Sequence, residues 1–528
     1  VEHPDLAQLA AVLAAVGAAL LLAGRGRAMV LGGVALLGLG TLGLTVSTPG
    51  SGKVDALLSP AGAVVSVAGL AVLAGAAAIF VRRPAWVPLA ILAAAPLRPP
   101  ISFDPSGSLP VTLAEDGQLG RLLPLYFVLA AAALALVWRA LHDDHGAVRP
   151  LPRVVALPAA AFIGFASVSL VWADEIEAGV ELLAFFTMPF ALLLGLVARS
   201  PFPDWAPRAL ARLGLGLAAL FALIGLYQAA TRELFFFAPN LEVSNANTDY
   251  FRVTSLFGDP SLYGRHVVLG IGLVLVLLAL GRVRLWLGVG LLTLMWAGLF
   301  FSYSQSSMVA LVAITLAVAA ATGGATVRRL VLGVLTVAVL LVVGYLASIE
   351  IRGESLRQRT ADRSQRVQDA VRVVREDPIV GVGIGGQPQA SRRLSGRDRT
   401  TPNFVSHTTP LTVAAELGLA GLALYVWLLA GGTRLLMAVR RLEPALGLAL
   451  GAAFLALFVH ALFYSGFLED PLTWVVLGVG AGYLTWPRRD DGVRRDADTS
   501  DSASLRKPRD AGSSGTGPDA ADALASGA

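Results

Sequence analysis

Segments of about twenty apolar residues, the length that crosses a bilayer core, recur along this chain from residue 8 to residue 465. Thirteen reach spanning length, beginning with 8–24 and 28–46 and ending with 408–430 and 444–465. Two weaker ones, 85–97 and 472–486, are short or contain proline. Backbone in lipid must satisfy its own hydrogen bonds, so each segment reads as a helix. The expected fold is an all-α polytopic membrane protein of ~13–15 transmembrane helices with a large, partly helical extracytoplasmic loop. Composition agrees: 15% of residues are charged, against about 25% in soluble domains. The chain has no cysteine, which removes disulfides and thiolate metal sites. No cleavable signal peptide is expected, since Val1 to Asp5 lacks a positive n-region.

Loop charge sets the expected orientation. Arg25 and Arg27, Arg82 and Arg83, Arg149 and Arg153, Arg282 and Arg284, Arg328 and Arg329, and Arg434, Arg440 and Arg441 mark a cytoplasmic side. Asp174 to Glu177, Ser302 to Gln305, and Glu469 with Asp470 mark the outer one, placing the N-terminus outside and the C-terminus inside. Three outer segments are long: 98–120, 229–264 and 349–406. The expected division is N-terminal transmembrane helices at 1–209, a second membrane region at 210–486 that contains the 349–406 loop, and a disordered cytoplasmic tail at 487–528. No internal repeat is evident, which argues against an inverted-repeat transporter.

The 349–406 loop holds eleven arginines. Within it, Val367, Ala370, Val371 and Val374 recur at helical spacing from Ser364 to Glu376, and Pro378 ends the pattern. Gly381 to Gly386 reads as a flexible turn that follows no strand and precedes no helix, hence not a nucleotide fingerprint. Two readings stay open for the arginines. Either the helix lies on the headgroup surface with its guanidinium groups in solvent, or a subset grips an anionic, phosphorylated ligand through forked contacts. His407 either caps the next helix or, as an imidazole titrating near neutrality, takes a proton from a hydroxyl. Arg252 lies outside the apolar segments, and Arg265 enters one, where it either snorkels to the headgroups or is paired and functional. Ser304 to Ser307 reads as a packing turn and Glu469-Asp470 as a solvated one.

In order and spacing these pieces resemble the O-antigen ligase and O-antigen polymerase family, whose members are lipid-linked oligosaccharide glycosyltransferases. Arg363, the helix after it and Pro378-Ile379-Val380-Gly381-Val382-Gly383 look like the family's outer-loop signature. His407 with Leu411, Glu416 and Gly418 is similar to its His-helix signature, Arg252 through Asp259 and Pro260 to its upstream arginine motif, and Ser304 to Ser307 to its serine turn. The sequence departs at Gln305, where the family usually carries Arg, at Val367, usually Trp, and at Ser261, commonly Asn.

The resemblance implies transfer of a glycan from an undecaprenyl-diphosphate-linked donor to a hydroxyl of a glycan or glycolipid acceptor. The reaction would take place on the outer side of the cytoplasmic (inner) membrane, with inversion and without metal or other cofactor. It implies that Arg252, Arg265, Arg363 and Asp259 bind the diphosphate and substrate. The catalytic residues would be His407, Arg363 and Arg252, with His407 as base or orienter of the acceptor hydroxyl. Membrane lipid surrounds the protein, and no nucleic acid partner is expected. The alternative is a transporter or flippase for an anionic lipid-linked sugar. Transporters bury ionisable residues at the midplane on broken helices, whereas the helix interiors here read as almost charge-free.

Overall fold

The computed structural model describes residues 3–48, 60–99, 101–102, 112–113, 122–142, 144–236, 239–351, 363–396 and 405–486. The expected tail at 487–528 and loop arginines 352, 357, 359, 397 and 399 lie outside these residues. The chain divides into a compact unit, Val1–Thr485, and a second unit, Trp486–Ala528, of which only Trp486 is described.

Every apolar segment of the sequence is occupied by a helix. The first eight are α1 (Pro4–Ala23), α2 (Arg27–Ser47), α3 (Pro60–Arg82), α4 (Val87–Ala94), α5 (Leu123–Leu141), α6 (Arg153–Val168), α7 (Ile176–Leu182) and α8 (Met188–Arg199). A π turn, Leu183–Thr187, joins α7 to α8 in one crossing. Then come α9 (Ala206–Thr231), the short α10 (Pro239–Ala246), α11 (Pro260–Ala279), α12 (Leu285–Phe300), α13 (Gln305–Thr322) and α14 (Ala325–Ile351). The long loop contributes α15 (Arg363–Glu376) and α16 (Gln387–Leu394), and the chain returns through α17 (Thr409–Leu442), α18 (Pro444–Ala461) and α19 (Pro471–Thr485). Among the described residues, eleven helices are long and apolar enough to cross a membrane. Strand structure among them is limited to one antiparallel pairing, Ile101–Ser102 with Thr112–Leu113, inside the 98–120 segment.

Two apolar cores hold the bundle. The larger joins α1 to α8 with α17 to α19, and the second joins α9 with α11, α12 and α13. At one end, arginines satisfy the carbonyls that helix C-termini leave open: Arg27 donates to Leu141, Arg199 to Leu21, Arg149 to Thr485 and Arg440 to Ala321. The basic loops therefore gather at one end of the bundle, as loop charge anticipates. The opposite, distal end carries α15, α16 and the acidic turns.

The distal loop departs from the surface-helix expectation. In α15 the buried positions are Asp369, Ala370 and Val373, while Val367 is exposed. Val373 packs with Val382, Ala390 and Ala415, so the helix docks on α16 and α17 instead of presenting the expected valine stripe to lipid. Arg393 fastens α16 to Asp174 at 2.8 Å and to Glu376 at 3.2 Å.

Gly381 to Gly386 is not a free turn either, and it does precede a helix, α16. It fills a break in α17 at Gly418, where φ is 64°. The carbonyls of Ala415 and Glu416 accept from Val382 and Gly383, and the amides of Leu419 and Ala420 donate to Pro378 and Ile379. Non-helical backbone at membrane depth persists only where other protein satisfies it, and four loop-to-helix hydrogen bonds do so here. A Cβ on Gly418 would sit 2.2 Å from the Ile379 carbonyl oxygen, and one on Gly383 would sit 2.3 Å from Ala173 Cα. Both positions need glycine for space as well as for positive φ.

Candidate active site

A cavity of about 350 Å³ opens at the distal end, lined among others by Arg98, Arg265, Glu416, Tyr464, Glu469 and Asp470. Arg265 is its centre. Asp259 caps α11 by accepting from the amides of Ser261 and Leu262, and Pro260 starts the helix, so Arg265 falls in its second turn, inside protein. It is 3% exposed and does not snorkel. Its guanidinium pairs with the Asp470 carboxylate, donates to the carbonyls of Gly466 (3.1 Å) and Ser465 (3.2 Å), and lies 5.8 Å from the Tyr464 ring centroid. Its Nε donates to His460 Nδ1 at 3.2 Å, which leaves His460 Nε2 to donate to the Ser261 carbonyl at 3.1 Å, with Ser306 Oγ also at 3.1 Å. The serine turn thus helps hold the histidine that holds Arg265.

Asp470 serves two ends. One oxygen meets Arg265, and the other accepts the Leu472 amide at the start of α19. The Glu469-Asp470 turn is therefore built into the cavity wall, not solvated as its composition suggested. Burial holds the Glu469 carboxyl above its ordinary value, Asp470 adds to that, and Arg265 opposes it. Burial also pulls the Arg98 guanidinium below its ordinary value against the field of Asp470. Burial, then the Asp259 carboxylate, pushes the Tyr464 phenol up, so it stays a hydrogen-bond donor, with Asp259 as its partner.

His407 stands behind Tyr464, with ring centroids 6.1 Å apart, and does not line the cavity. Its backbone is left-handed, φ 58°, a conformation histidine adopts more readily than most residues but at a cost of about 1–3 kcal/mol. Neighbours on both sides fix it. The Ser406 amide donates to Gln387, its hydroxyl meets Thr412 at 2.8 Å, and Thr408 Oγ1 donates to the Leu462 carbonyl. Thr408, not His407, is the N-cap position of α17. The imidazole hydrogen-bonds through Nε2 to Arg366 of α15.

The structure therefore brings Arg265, Asp259 and His407 together around Tyr464. Arg252 is held elsewhere: its Nε donates to the Ser302 carbonyl at 3.3 Å, and its backbone is clasped on both sides by the Asn245 amide. Arg363 opens α15 one turn before Arg366, and its side chain lies outside the described residues. Arg98, Arg366, Glu416, His460, Tyr464 and Asp470 are not singled out as site residues by the sequence, although Glu416 and Asp470 stand in segments it marks. A signal existed for Glu416 and His460, because an ionisable residue within a spanning segment is costly and needs a partner or a task. Arg199 and Arg265 are buried as well, Arg199 at the end of α8 and Arg265 in the second turn of α11.

Beside this cavity lies an apolar one of about 170 Å³, bordered by α9, α11, α18 and α19 and sharing Pro96 and His266 with the first. Among the described residues, no group of three or more His, Asp or Glu side chains could hold a metal ion. No curated protein matches the chain. Residues 290–426, from α12 through the serine turn, the distal loop and His407 into α17, match the family model described as O-Antigen ligase, and the chain is thus a polytopic membrane protein carrying an O-antigen ligase family domain.

Proposed function

We propose that the protein is a membrane glycosyltransferase that moves a glycan from an undecaprenyl-diphosphate-linked donor to an acceptor hydroxyl at the distal, extracytoplasmic end of the bundle. The observation that carries this reading is the pairing of cavities: one lined by two arginines, the other apolar, sharing a wall. Such a site suits an amphipathic ligand with an anionic head and a long apolar tail. Loss of a lipid diphosphate concentrates negative charge on the departing oxygens, and preorganised guanidinium groups stabilise it in a low-dielectric site. Arg265 and Arg98 occupy that position. Arg252 and Arg363 are assigned to the diphosphate as well, with Asp259 steering Tyr464 and His407 orienting the acceptor side. Arginines in these places make the reaction metal-independent, and displacement in one step inverts the anomeric carbon.

The test is glycosidic-bond formation by the purified protein from a lipid-diphosphate oligosaccharide, with chelator present. Product is expected, and its loss is expected in Arg265→Ala. An absolute divalent-metal requirement, or undiminished transfer by R252A, R265A and H407A alike, would count against the assignment. Movement of the lipid-linked sugar across a vesicle membrane with no new bond would favour the transporter reading instead.

A further inference from the structure

Three carboxylates line the distal cavity, and their surroundings differ. Asp470 is engaged by Arg265 and the Leu472 amide. Glu416 accepts the backbone amides of Gly385 and Gln387 and so secures the distal loop to α17. Glu469 is held by the amides of its own residue and Leu468, yet its Oε2 is buried among the described residues with no hydrogen-bond partner. A buried acceptor left open costs about 1–3 kcal/mol, more if charged. His407, the obvious candidate for proton transfer, is differently placed. An arginine can only donate, so the Arg366 contact engages the Nε2 lone pair, and His407 lies off the cavity lining.

We propose that Glu469 is the catalytic base, its open Oε2 receiving the proton of the attacking hydroxyl, while His407 is a positioning residue. This rests on the glycosyl-transfer reading above. As the acceptor oxygen bonds to the anomeric carbon, the bond from that carbon to the donor's phosphate oxygen breaks. The electron pair leaves with the lipid diphosphate, and the hydroxyl proton passes to Glu469, which releases it to water as product departs. The groups that set its titration are Arg265, which favours the carboxylate, and Asp470, which disfavours it, and the charged and titratable groups around it are Glu416, Arg98 across the cavity and Tyr425. Burial raises its proton affinity, which suits a base working near neutral pH.

Transfer is measured with a lipid-diphosphate oligosaccharide for the wild type, Glu469→Gln, Glu469→Asp and His407→Ala, alongside binding of undecaprenyl diphosphate. E469Q should lose at least about 100-fold in kcat, keep wild-type binding of undecaprenyl diphosphate and lose the acidic limb of the pH–rate profile. E469D should keep that limb with reduced kcat, and H407A should keep it too. Wild-type kcat in E469Q overturns the proposal, as does loss of the acidic limb in H407A or loss of diphosphate binding in E469Q. Absence of any transfer by the wild-type protein is a distinct result that removes the enzymatic reading and this proposal together.

Discussion

Arg265 and Asp470 lie 205 residues apart in the chain and form an ion pair with side chains only 3% and 4% exposed. The pair locks α11 to the turn before α19 and fixes the guanidinium at the cavity wall. Removing one partner leaves the other charge buried and alone, which costs about 3–5 kcal/mol. Arg265→Met should therefore lower stability by that order in thermal unfolding at fixed detergent. The double variant R265M/D470L should recover much of it while staying inactive. Wild-type unfolding of R265M alone would show that the pair does not secure the fold.

Gly418→Ala tests the break in α17. Gly418 has φ 64° and ψ −168°, a region essentially reserved for glycine that costs another residue about 1–3 kcal/mol, and the added Cβ meets the Ile379 carbonyl oxygen. We expect a loss of at least about 2 kcal/mol and faster proteolysis within 363–396. A protease pattern identical to wild type would mean that the loop is held by other contacts.

The apolar cavity can be narrowed without disturbing backbone. Gly214 lines it, and a Cβ there meets nothing closer than Leu273 Cδ2 at 3.8 Å. Gly214→Leu should weaken undecaprenyl diphosphate binding by about tenfold, the worth of one to two buried methylenes. Geranyl diphosphate, too short to reach that depth, should bind unchanged. Equal weakening of both ligands would place the tail elsewhere.

Glu469 also predicts how stability responds to pH. Its folded proton affinity lies above that of an unfolded carboxyl, so the native state binds more protons between the ordinary carboxylate range and the raised value. Stability should be greatest from this group below that window and fall as pH rises through it. In E469Q the slope across the window should flatten. An unchanged slope would assign it to another group.

The helices were legible because lipid leaves the backbone a single solution, and apolar length alone reveals it. Helix ends followed from local chemistry, as with Asp259 before Pro260. The site was legible only in part. Arg265 and His407 stand where charge or motif draws the eye, but the partners that give them a role come from distant turns. Nothing near Arg265 points to Asp470, and the valine spacing of α15 could not say whether lipid or α17 would cover it. Asp369 fills the buried face beside Ala370 and Val373 because Arg372 pairs with it at 3.2 Å, a device invisible to a hydrophobicity pattern.

The splice between Pro378–Gly383 and the interruption at Gly418 also bears on how the chain is made. The loop strand is synthesised some forty residues before the helix segment it completes. The backbone groups at the interruption of α17 are satisfied only once the loop has folded back onto it. Docking of the distal loop is thus a condition for completing α17. A chain whose loop failed to dock would keep a spanning helix with open hydrogen-bonding groups at its break.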